Sequence, residues 1–119
     1  MKDKLTEDFL QSLKESEPIL FALQFKPYSF FEKGPAYYIK YKREITGSIV
    51  EFIFGPTDWM VEMIIFTKKG KFEFKDLYEI PAIVKWISNN RYIYKEERGI
   101  KTEILYFIDL LKISLPLVE

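Results

Sequence analysis

Two carboxylates, Glu51 and Glu62, carry the sharpest suggestion of chemistry in the chain. They stand at equal distances from the segment Gly55-Pro56-Thr57-Asp58, so a symmetric hairpin about that segment sets them face to face. Like charges opposed across two strands repel, and a divalent cation or a shared proton would relieve them. A Thr46-Gly47 turn sets Lys42 opposite Glu51, which offers a plainer remedy, a Lys–Glu ladder that performs no reaction. Asp58, beside Trp59, reads as a turn-former. Gly55 and Gly99 stand singly, so the sequence encodes no glycine-rich phosphate loop.

The residue types that are missing narrow the chemistry further. The chain has no histidine and no cysteine. That removes the commonest general base and metal ligand, together with thiolate metal sites, cysteine nucleophiles and disulfides. Only carboxylates, lysine, tyrosine and hydroxyl groups remain for catalysis, and none of them falls in a catalytic motif. The expectation is a non-enzymatic protein with no cofactor and no metal. Two alternatives stand beside it: a carboxylate-based or divalent-metal-dependent enzyme centred on Glu51 and Glu62, or a binder of a small apolar ligand between sheet and helices.

Composition bounds the partners. The chain of 119 residues is 48% apolar and 18% aromatic, led by 11 Phe and 8 Tyr, too apolar to stay disordered. It reads as a single α+β domain spanning residues 1–119. Its 18 basic and 18 acidic side chains cancel, so it lacks the footprint of a nucleic-acid binder and the polybasic tract of a membrane-surface protein. Lys40, Lys42 and Arg43 lie among Tyr37, Tyr38 and Tyr41, as on sheets that stack bases, but neutrality argues against that use. Lys68, Lys69 and Lys71 read as a solvated hairpin tip. The segment Met1–Asp8 is charged from the outset and no apolar run approaches membrane-spanning length, so the expected location is cytoplasmic.

The elements that must position these groups follow from periodicity. Leu5, Phe9, Leu10 and Leu13 recur at helical spacing after a cap at Asp3 or Thr6, and Ser16-Glu17-Pro18 is expected to end that helix. Ile19–Phe25 fits a buried strand or a second short helix, and Lys26–Pro35 reads as a loop. Four strands follow, Ala36–Arg43, Ser48–Phe54, Trp59–Thr67 and Lys71–Phe74, joined by glycine-bearing turns. Ile80, Ile83, Val84 and Ile87 mark a helix ending at Asn89-Asn90. Arg91–Lys95 could add an edge strand, and Ile100, Ile104, Phe107, Ile108 and Leu111 mark a last helix stopped by Pro116. The fold class is α+β: an antiparallel meander of four or five strands, packed on one face by N-terminal and C-terminal helices.

Alternation then sorts the meander into two faces. One gathers Tyr37, Ile39, Tyr41, Val50, Phe52, Phe54, Trp59, Val61, Met63, Ile65, Phe72 and Phe74, with Arg43 as its single charge at a strand end. The other mixes charge with large apolar groups: Tyr38, Lys40, Lys42, Ile49, Glu51, Ile53, Met60, Glu62, Ile64, Phe66, Glu73 and Lys75. The expected pairs on it are Ile53 with Met60 and Ile49 with Ile64, aligned as an apolar stripe. Such a face is either covered by the chain itself, through Ile19–Phe25 or the last helix, or meets a partner. The second option assigns Tyr38, Ile49, Glu51, Ile53, Met60, Glu62, Ile64 and Phe66 to partner binding, the partner being another protein or a second copy in a homodimer. Among small neutral proteins of this kind, a bacterial immunity protein that neutralises a toxin is the expected class.

Overall fold

The computed structural model describes residues 4–34, 36–55, 61–95 and 99–119, with the backbone alone over 91–95. Helix α1 (Lys4–Ala22) leads into strands β1 (Phe25–Lys33), β2 (Ala36–Arg43), β3 (Ile49–Phe54), β4 (Val61–Thr67) and β5 (Gly70–Phe72). Helices α2 (Phe74–Leu77), α3 (Pro81–Lys95) and α4 (Ile100–Val118) follow. The strands form one antiparallel sheet in the order β1-β2-β3-β4-β5, an α+β arrangement with α1 and α4 packed on one face.

That face is the apolar one read from the sequence. Tyr37, Tyr41, Val50, Phe52, Phe54, Val61, Met63 and Ile65 are all buried there, against Phe9, Leu13 and Leu20 of α1 and Ile104, Ile108, Leu111 and Leu115 of α4. The rings of Phe9 and Phe54 stack at 4.9 Å, and Tyr41 meets Phe52 edge-on at 6.2 Å. Each such side chain contributes about 1.5–3 kcal/mol by leaving water.

Several local expectations are overturned, each for a physical reason. Ser16-Glu17-Pro18 does not end α1, which continues over Ile19–Ala22. Burial of Leu20 on the core stripe offsets the hydrogen bond that Pro18 removes, and the Ser16 hydroxyl donates to the Ser12 carbonyl at 2.8 Å. Gln24, with φ of 71°, then turns the chain into Phe25. Lys26–Lys33, read as loop, is most of edge strand β1, where a proline is tolerated because one side of the backbone has no neighbour. The pairing with β2 shifts by one residue between Pro27 and Ser29, a bulge at Tyr28 that breaks the alternation.

The fifth strand is therefore β1. Arg91–Lys95 prolong α3, and Asn90 donates its amide to the Trp86 carbonyl at 2.8 Å instead of closing the helix. Pro116 lies inside α4, whose last turn is held by the buried Val118. Phe74 and Lys75 belong to α2, with Glu73 as its N-cap, so the expected last strand is shorter.

All three meander registers also differ from those expected, each by two residues. Lys42 faces Ile49, Phe54 faces Val61, and Ile65 faces Phe72. In the β2–β3 connection Gly47 N–H donates to the Arg43 carbonyl at 2.7 Å and Arg43 N–H to the Ser48 carbonyl at 2.8 Å, so four residues turn where two were expected. In the β4–β5 hairpin Gly70 pairs with Thr67 and follows the turn. The expected turn Gly55–Asp58 and the residues Trp59 and Met60 lie, apart from Gly55, outside the described residues. A displacement of two keeps each paired side chain of β2–β5 on its face while changing its partner across the strand. Phe74, expected on the core face, is instead exposed on α2, and Glu73 and Lys75 likewise leave the sheet.

The end of α4 is clasped to the sheet. Arg43 and Ser48 both donate to the Glu119 carboxylate, the serine at 2.7 Å, and Thr67 Oγ1 donates to the Val118 carbonyl at 2.7 Å. Burial pushes the Glu119 carboxyl up, but hydrogen bonds from Thr46 and Ser48 and the charge of Arg43 outweigh it and hold it below the usual carboxylate value. A carboxylate with a lowered folded pKa stabilises above its unfolded pKa, and that contribution is lost as pH falls through the folded value. Glu119→Gln is expected to destabilise by about 1–3 kcal/mol at neutral pH. Urea unfolding repeated at about pH 3 should find wild type and variant drawn together.

Candidate functional site

The second sheet face is built as three rungs across β2, β3 and β4. Tyr38, Ile53 and Glu62 form the first, Lys40, Glu51 and Ile64 the second, and Lys42, Ile49 and Phe66 the third. Strand β1 lengthens each rung, adding Phe31 beside Tyr38, Ser29 beside Lys40 and Lys26 beside Lys42. The alternation of β2–β4 therefore brings seven of the eight expected partner-binding residues together, and Met60 lies outside the described residues.

The apolar members of this face, Tyr38, Ile49, Ile53, Ile64 and Phe66, are half-buried against one another. None belongs to the core cluster or packs against it. The buried side chains of α1 and α4 lie on the other side of the sheet. Among the described residues no helix covers the three rungs, so the stripe of Tyr38–Ile53, Ile64 and Ile49–Phe66 is open.

The expected carboxylate pair does not form. Glu51 faces Ile64 and Lys40, whereas Glu62 faces Ile53 and is exposed. The expected Lys42–Glu51 pair is likewise replaced: Lys40 Nζ lies 3.9 Å from Glu51 and 5.8 Å from the Phe66 ring centre. The pairs Ile53–Met60 and Ile49–Ile64 give way to Ile53–Glu62 and Ile49–Phe66. The cause is the two-residue shift in the β2–β3 and β3–β4 registers. Glu51 is only 8% exposed although it sits on the face that no helix covers, and Lys40 lies 3.9 Å from it.

Among the described residues no group of three carboxylates is placed to hold a metal ion. Isothermal titration with magnesium, manganese and calcium is expected to give no binding heat; a saturable heat lost in Glu51→Gln would restore the metal-site reading.

Two features escaped the sequence reading. A groove of about 510 Å³ runs between α1 and the β1–β2 pair, with Leu10, Leu13 and Ile39 as apolar lining. At its base the Tyr41 hydroxyl donates to Glu17 at 2.8 Å, and burial, then the Glu17 hydrogen bond and charge, push the Tyr41 pKa up, so the phenol keeps its proton. The other feature is the aromatic edge: Tyr28, Phe30 and Phe31 of β1 are 55%, 56% and 57% exposed. The signal for it was present, three aromatic strand-formers within four positions, but Pro27 and the bulge hid the strand. No helix of the described residues is long and apolar enough to cross a membrane. Compared with known protein families, curated proteins and solved structures, the chain matches none.

Proposed function

We propose that this chain is a non-enzymatic protein-binding domain that docks a partner on the outer sheet face. The observation that carries the reading is the stripe of Ile49, Ile53, Ile64 and Phe66, which stands outside the core while both long terminal helices pack on the opposite side. Contiguous apolar surface rimmed by charge is the usual form of an interaction site. The rim here is Lys42 at one end and Glu62 at the other, which supplies orientation more than affinity. Within this class the fit is to immunity proteins that neutralise a toxin, supported by small size, balanced charge and the adhesive face. A second reading, capture of a small apolar molecule, is favoured by the groove under α1.

The test pairs the chain with the products of the genes beside its own, co-expressed and co-purified. Ile53→Lys combined with Ile64→Lys should abolish the complex. Both side chains are only half-buried, so the melting temperature should stay within about 4 °C of wild type. Global unfolding of the double variant, or a complex that survives it, would remove the outer face as the docking surface.

A further inference from the structure

The exposed edge of β1 presents a second surface, and it differs in kind from the face across β2–β4. The side of β1 turned away from β2 has no strand partner among the described residues. Beyond the bulge, Ser29–Lys33 pair regularly with β2, so this stretch presents a straight run of unpaired backbone groups. Aromatic side chains stand on both sides of it. Phe31 lies beside Tyr38 on the outer face (ring centres 6.1 Å), and Phe30 lies beside Tyr37 on the helix side (6.0 Å). An occupant that covers both must wrap the edge, which an added strand does and a ligand stacked on one face does not.

Charge selects the sequence of that strand. Register places Lys26 and Lys33 of β1 on the outer face with Lys40 and Lys42 of β2. Among the described residues the carboxylate beside these lysines is Glu51, already paired with Lys40. Glu62 stands farther off on β4, and Glu32 of β1 lies on the helix side. A second copy of this chain, paired antiparallel along β1, would bring the Lys33 end of one strand toward the Lys26 end of the other. Like charges make self-pairing unfavourable.

We propose that the β1 edge captures an extended acidic segment of another protein as a sixth strand. Its carboxylates alternate toward Lys26, Lys33 and Lys42, and its apolar side chains fall on the helix side against Phe30. The proposal does not need the Ile53–Ile64 stripe, and the two are tested apart.

The probe is a capped peptide of about eight alternating glutamate and valine residues, titrated into the full chain and followed by amide chemical shifts. Expected are shifts centred on Ser29–Lys33, affinity that falls with added salt, and about tenfold weaker binding by the lysine–valine counterpart. Methylating alternate peptide nitrogens should abolish binding if the edge supplies backbone hydrogen bonds. Lys26→Glu combined with Lys33→Glu should weaken binding by about tenfold, with the circular dichroism spectrum unchanged because both side chains are exposed. The Ile53→Lys, Ile64→Lys variant should bind the peptide as wild type does. Equal binding of the lysine–valine peptide, shifts located away from β1, tighter binding of an oligouridylate, or self-association through β1 would each overturn the proposal.

Discussion

Among the described residues the helices cover one face of the sheet only, and the mixed character of the other face follows from that asymmetry. Phe52 and Phe54 are fully buried between Phe9 of α1 and the inner stripe of α4. A helix covers a sheet by placing its apolar stripe on it, and both long helices do so on the same side. Nothing described remains for the reverse side. The apolar residues there shield one another partially, which is why Ile49, Ile53, Ile64 and Phe66 are half-buried without joining the core.

Tertiary burial also decides the conflicts with local propensity. Proline inside a helix costs about 3 kcal/mol, yet Pro18 and Pro116 both lie within helices. In each case a buried residue follows, Leu20 after Pro18 and Val118 after Pro116, and its transfer from water outweighs the local preference together with its neighbours. Asn90 is a similar case, a residue that often ends helices but here turns its amide back on its own turn.

These conflicts mark the limit of what could be read from the residues. The faces of β2, β3 and β4 were legible because burial on one side imposes strict alternation, as in Val50, Phe52 and Phe54. The register was not, because moving the centre of a turn by one residue leaves each face unchanged. That is the reason the outer-face residues of β2, β3 and β4 keep their side, from Tyr38 to Phe66, while Glu51 and Glu62 are not opposed. Glu73 and Lys75 leave that face because α2 begins there. Strand β1 was illegible for the opposite reason. It is exposed over Lys26–Lys33, so burial imposes no alternation, and the bulge at Tyr28 disrupts what pattern remains. The edge that carries the exposed aromatics was thus the least visible strand in the sequence.

The clasp at Glu119 has a mechanical consequence for the face it does not touch. Its carboxylate joins the β2 end at Arg43 to the start of β3 at Ser48, and the adjoining Val118 carbonyl holds Thr67 at the end of β4. Three strands are therefore tied at one end to a single helix terminus, like slats fixed to a common bar. Their relative sliding and splaying are restrained there, which stiffens that end of the reverse side. A body that lands on that stiffened end loses little freedom in adapting it, so recognition there depends chiefly on whether the two shapes already match.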